Sequence, residues 1–246
     1  MDNITTFNFK ELFGFSKIYV LVSGGFDSTY LYEIIYDLYP HKTYPVNCYN
    51  PYEYNKTVKK ITKNDDKMIF IQPGEYKDVI KNSFLKLPDA HKLRINREYH
   101  KKIFPCCRIL KHKSFKKDNR FREKGSVVIS GIRKREGSQR SIFLTQMEKG
   151  TFKSLINNKP SFYLRHKDSE ILYCYPFRDY DYKELPLEIK NDLWDKYPYL
   201  QHSGCSLCPI LVLFGLKYEN ERYDRSVQYA KNLGVFSEEY KRRIKR

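Results

Sequence analysis

Apolar positions first cluster without interruption from Ile18 to Val22, a run of the length expected for a strand buried on both faces. Small and polar residues follow, and then Leu31, Ile34, Ile35 and Leu38 recur at helical spacing until Pro40 stops them. Thr43 to Cys48 and Met68 to Ile71 repeat the strand pattern, with a helix predicted over 52–63 between them, carrying Val58 and Ile61. Ser126-Val127-Val128-Ile129-Ser130 predicts another buried strand, closed by Gly131. Strands alternating with helices at this spacing predict an α/β fold with a parallel sheet and crossover helices. Beyond it the pattern weakens: 141–172 has no clear period, 171–175 reads as an edge strand, 183–196 as a helix despite Pro186, and 219–233 as a mostly polar final helix.

The break between the first strand and helix falls on Gly24-Gly25. Paired glycines let main-chain N–H groups approach an anion closely, and a helix starting there aims its unsatisfied N–H groups and positive dipole end at the same point. Ser23, Ser28 and Thr29 add hydroxyl donors, so the turn predicts a phosphate site. It is neither of two familiar loops: Gly-x4-Gly-Lys-Ser/Thr and Gly-x-Gly-x-x-Gly are both absent. Gly131-Ile132-Arg133 follows a second strand, and ligands of open parallel sheets lie beyond the carboxyl ends of strands, so both motifs are expected to face one crevice.

Charge enlarges this expectation. The chain of 246 residues carries a formal net charge of +17, and from Lys92 to Lys124 thirteen Lys or Arg stand against Glu98, Asp118 and Glu123. Such a field concentrates anions beyond what one nucleotide requires, so RNA or DNA is a candidate partner, with a merely solvated basic face as the alternative. No apolar run approaches a membrane span, and the start Met1-Asp2-Asn3 lacks the pattern of a signal peptide, so a cytoplasmic protein without membrane contact is expected.

Six cysteines include adjacent Cys106-Cys107 and the pair Cys205-Ser206-Leu207-Cys208. Four thiolates suit zinc or a [4Fe–4S] cluster, and only tertiary folding could bring these two pairs together. Pro105 and Pro209 would stiffen the two ligand loops.

The string Ser23-Gly24-Gly25-Phe26-Asp27-Ser28 resembles the PP-loop of the ATP pyrophosphatase superfamily. With Cys106-Cys107-Arg108-Ile109-Leu110-Lys111, the stretch from Gly131 to Arg140, and His202-Ser203-Gly204-Cys205-Ser206-Leu207-Cys208-Pro209, the resemblance narrows to the iron–sulfur branch of the phosphoadenosine-phosphosulfate (PAPS) reductase family. It implies a Rossmann-like, doubly wound parallel sheet of the adenine nucleotide alpha hydrolase type over 1–210, with a helical basic C-terminal extension over 211–246, although no linker marks a boundary. It further implies that Cys106, Cys107, Cys205 and Cys208 hold a [4Fe–4S] cluster, zinc being the alternative. Ser23, Gly24, Gly25, Asp27, Ser28, Thr29, Gly131, Arg133 and Arg140 are then the nucleotide-binding positions, with Asp27, Arg133 and Arg140 in the catalytic role. Arg133 and Arg140 match positions that contact the phosphate or sulfate part of the nucleotide, a task suited to guanidinium forks, and Glu136 is placed to orient them.

Three departures shape the expected activity. Phe26 stands where many relatives carry lysine, Gly137 replaces a serine, and no cysteine follows Cys208 to act as the tail nucleophile of sulfonucleotide reductases. The expectation is therefore an enzyme of sulfur chemistry that binds ATP, with Mg2+ as its companion, adenylates an acceptor in RNA or DNA, and passes it sulfur from an external thiol or donor protein. A reductase releasing sulfite from PAPS or adenosine phosphosulfate (APS), with Cys48 or Cys174 as an internal thiol, and an idle nucleotide-binding module are the alternatives.

Overall fold

The computed structural model describes residues 7–48, 58–61, 66–72, 76–92, 104, 106, 108–136, 141, 143–145, 162–165, 170–198, 200, 207–215 and 220–235. The principal elements are β1 (Lys17–Leu21), α1 (Phe26–Leu38), β2 (Thr43–Cys48), β3 (Ile69–Ile71), α2 (Tyr76–Leu85), α3 (Leu87–Lys92), β4 (Ser126–Ile129), β5 (Tyr163–Arg165), β6 (Leu172–Cys174), α4 (Leu187–Lys196), α5 (Pro209–Phe214) and α6 (Asn220–Asn232). They form a mixed α/β structure with one six-stranded, mostly parallel sheet in the order β3-β2-β1-β4-β6-β5. None of the described helices is long and apolar enough to cross a membrane.

Continuous apolar runs explain the centre of the sheet. β1 pairs in parallel with β2 on one side, Ile18 opposite Thr43, and with β4 on the other, Ile18 opposite Val127. All four residues of β4 are buried, as expected of a parallel strand covered on both faces. The chain moves outward from β1 through β2 to β3, then returns to place β4 on β1's other side. The strand order therefore reverses between β1 and β4, the place at which open parallel sheets bind ligands beyond the carboxyl ends of their strands.

The segment 171–175 departs from its predicted place at an edge. β6 lies between β4 and β5, and the edge belongs to β5, which pairs with β6 antiparallel, Tyr163 opposite Cys174. Leu38, counted on the apolar face of α1, is exposed, whereas Leu31, Ile34 and Ile35 are buried. The strand's burial continues past its own end, because Val22 donates its N–H to the Val46 carbonyl at 2.8 Å.

Two compact units divide the chain. One comprises Met1–Asn47, Asn55–Phe70 and Lys116–Ser203; the other comprises Cys48–Tyr54, Ile71–Phe115 and Gly204–Arg246. The first has a core of sheet residues Ile18, Val20, Val127 and Ile129 against Leu31 and Ile35 of α1, with Phe177, Tyr180 and Tyr197 completing it. In the second, α2 and α3 contribute Ile80, Phe84, Leu87 and Ala90, which pack with Phe104, Cys106, Leu110, Val212 and Ala230.

Candidate functional site

In the sheet-bearing unit the 22–29 turn stands at the reversal point. Gly24 has φ +82°, a left-handed conformation that a side chain would strain, and Gly25 caps α1 without a side-chain partner. The first-turn N–H groups of a 13-residue helix are consequently aimed at the strand end. Hydroxyls hold the turn in shape. Ser23 donates its N–H to Ser28 Oγ at 3.1 Å, the two serine hydroxyls lie 3.0 Å apart, and Ser28 Oγ donates to the Gly25 carbonyl at 3.0 Å. Thr29, fully buried, also donates its hydroxyl to the Gly25 carbonyl, at 2.9 Å. These two hydroxyls brace the loop through the Gly25 carbonyl, and Asn47 ties the strand end down by donating to the Val22 carbonyl at 2.7 Å.

The second motif meets the first directly. Arg133 Nη2 lies 2.8 Å from Asp27 Oδ2, with side chains only 17% and 16% exposed. Gly131 makes that approach possible: a Cβ there would stand 3.3 Å from the backbone carbon and oxygen of Asp27, tighter than ordinary contact and against atoms that cannot swing aside. The carboxylate paired with Arg133 is thus that of Asp27.

A segment after β6 fixes the motif from outside, and no sequence signal had singled it out. Lys134 donates its N–H to the Arg178 carbonyl at 2.9 Å, and its ammonium pairs with Asp179 at 2.6 Å. Arg135 pairs with Asp181, and the Arg133 guanidinium lies 5.7 Å from the Tyr180 ring centroid. Arg178 is buried, lying 4.1 Å over the Phe162 ring and pairing with Asp179 at 2.9 Å. Burial opposes ionisation of Asp179, but hydrogen bonds from Lys134 and Arg178 outweigh it and hold the carboxyl below the usual carboxylate range. Asp181 is held low first by the Lys183 N–H and also by Arg135. The alternating acidic and aromatic residues Arg178-Asp179-Tyr180-Asp181 just past a strand end were the available clue.

Cys106 and Cys208 belong to the other unit. Cys106 is helical and buried, its Sγ 3.9 Å from the Phe104 carbonyl oxygen, within the cluster of Phe84, Leu110 and Val212. Cys208 caps α5 ahead of Pro209 and donates its N–H to Ser226 Oγ at 2.9 Å. Leu207 and Ile210, on either side of it, pack on the cluster that contains Cys106. Cys106 thus lies in an apolar cluster on which the sequence neighbours of Cys208 also pack, a setting that suits a soft thiolate ligand at Cys106 shielded from water. Among the described residues no three metal-ligating side chains converge. Cys107, Cys205, Arg140 and His202 lie outside the described residues, as do Gly137 and Ser138.

The two remaining cysteines differ. Cys174 is completely buried in β6, and burial above all pushes its thiol well up, leaving it a neutral hydrophobe without thiolate character. Cys48 is half-buried at the end of β2.

No protein-family model matches the chain, and no curated protein matches it.

Proposed function

We propose that this chain is an adenine-nucleotide enzyme of sulfur chemistry, built on a Rossmann-like sheet of the adenine nucleotide alpha hydrolase type and resembling the iron–sulfur branch of the PAPS reductase family. The observation that carries the reading is the Asp27–Arg133 pair at the reversal point of the sheet, beside a glycine turn that opens a long helix. Donors aimed at one point, with a single guanidinium held against them, form a site for the anionic part of a nucleotide.

In the proposed reaction an acceptor oxygen attacks the α-phosphorus of ATP, the bond to the β-phosphate oxygen breaks, and pyrophosphate leaves. Main-chain N–H groups at Gly24, Gly25 and the start of α1 bind the departing charge, and Arg133 adds a planar guanidinium fork. Asp27 aims that fork, while Tyr180 and the Lys134–Asp179 and Arg135–Asp181 pairs hold the strand-end segment still. Inorganic sulfur from a donor would then displace AMP from the activated acceptor. Cys106, Cys107, Cys205 and Cys208 would hold a [4Fe–4S] cluster, which supplies a soft inorganic centre for handling sulfur. The +17 net charge favours a nucleic-acid acceptor.

The test is pyrophosphate release from ATP by the anaerobically purified protein, with and without RNA or DNA. Release that depends on nucleic acid is expected. Sulfite release from PAPS would replace this reading with the reductase one, and nucleotide binding without turnover would replace it with a binding module.

A further inference from the structure

Trp194 is the chain's only tryptophan, and it is not in the core. On α4, Leu193 and Tyr197 take the buried positions while the Trp194 ring remains 38% exposed. Its ring centroid lies 6.3 Å from that of Phe26 at an interplanar angle of 73°. Phe26, half-buried, is the first residue of α1 and directly follows Gly25 of the turn, so the pair it makes with the exposed Trp194 adjoins the proposed phosphate site. Phe26 also packs on Tyr30 and on the sheet core, and in an edge-to-face pair each ring covers at most one face of the other, so the open aromatic surface is that of Trp194.

The rest of that helix face has matching chemistry. Leu187, 62% exposed, and Asn191, also exposed, precede Trp194 by seven and three positions, so all three share one face of α4. An apolar group, a primary amide and an indole in one row suit a flat heterocycle bearing donors and acceptors on its edge. They do not suit a phosphate chain: α4 carries Glu188, Asp192 and Asp195 against Lys190 and Lys196, so the helix offers no basic patch. The platform is also held in place. Tyr197 donates its hydroxyl to Glu33 of α1, Lys196 pairs with the same carboxylate, and Lys60 reaches the Lys196 carbonyl while lying 5.6 Å from the Tyr197 ring centroid. These contacts anchor the end of α4 to α1 next to Trp194, so little ordering remains to be done on binding.

We infer that Phe26 and Trp194 form a stacking platform for a nucleobase, beside the turn that takes the nucleotide's phosphates. This rests on reading the turn as a phosphate site. The base has two possible sources, the adenine of the bound nucleotide or an unpaired base of an acceptor strand, and the chemistry of stacking is common to both.

Because Trp194 is the sole tryptophan, its fluorescence reports this one place. The full-length protein is titrated with ATP, with tripolyphosphate and with a short single-stranded oligonucleotide, while equilibrium dialysis measures the binding of each. Saturable quenching by ATP but not by tripolyphosphate supports the platform with adenine as occupant. Saturable quenching by the oligonucleotide alone supports it with an unpaired base. By dialysis Trp194→Ala should weaken the quenching ligand about tenfold, Trp194→Phe should restore most of the loss, and tripolyphosphate should bind all three proteins alike. Binding of ATP and tripolyphosphate without quenching, or with Trp194→Ala unchanged, overturns the platform and leaves the phosphate site standing. No binding of any of the three ligands overturns both.

Discussion

The turn beside Arg133 and the neighbourhood of Cys106 are built by opposite means. In the sheet-bearing unit the site is polar and short-ranged: hydroxyls bridge to the Gly25 carbonyl, one ion pair joins the first turn of α1 to the segment after β4, and a glycine supplies the clearance. In the helical unit Cys106 sits in an apolar cluster with Phe84, Leu110 and Val212, and Leu207 and Ile210, flanking Cys208, pack on the same cluster. The first arrangement suits charge that must be met at a defined angle. The second suits ligands whose place depends on the packing of several helices at once.

That contrast orders the consequences of mutation. Phe84 is fully buried among the helices, so Phe84→Ala should cost about 3–5 kcal/mol. It should lower the melting temperature and the iron or zinc content together, while ATP binding by any protein that remains folded persists. Arg133→Ala should do the reverse: turnover falls by about 10²–10³, as for loss of one charge-stabilising donor, with metal content unchanged. If Arg133→Ala removes metal, or Phe84→Ala leaves it intact, the division of labour between the regions is wrong.

Gly131→Ala should be felt in the sheet unit alone, by about 1–3 kcal/mol of overpacking, because the new methyl would press on the Asp27 backbone. ATP affinity should fall with it, as the Asp27–Arg133 alignment is disturbed. Denaturant unfolding beside a binding titration checks both.

The smallest effect concerns acid. Asp179 titrates below the ordinary carboxylate value when folded, so its contribution is complete above about pH 4 and is lost as pH falls through the depressed folded value. Its side chain is 39% exposed, and solvent screening keeps that contribution under about 1 kcal/mol. Asp179→Asn should flatten the acid limb of the stability profile slightly. A limb that steepens would place the pair on the destabilising side.

Legibility in the sequence followed the same division. The Ile18 run, the glycine break and the Leu31-Ile34-Ile35 spacing are local signals, and the strand, turn and helix stand within a residue or so of where those signals put them. The edge of the sheet was not legible, because Tyr163-Leu164-Arg165 is too short to show a period and becomes a strand only through pairing with β6. The brace on the arginine motif was hidden for a related reason. Arg178 is buried only because the fold lays the distant Phe162 ring against it, beside its sequence neighbour Asp179. Ser28 and Thr29 read as ligand donors by residue type, but their hydroxyls are turned to the Gly25 carbonyl, a direction that composition does not encode.

The account depends most on the turn and Arg133 forming one anion site. Equilibrium dialysis of labelled ATP against wild type and Arg133→Ala, with pyrophosphate as competitor, measures that directly. Saturable binding that pyrophosphate displaces, and that the substitution weakens at least tenfold, is the expected result. Binding that is indifferent to both pyrophosphate and Arg133, or no saturable binding at all, would contradict it.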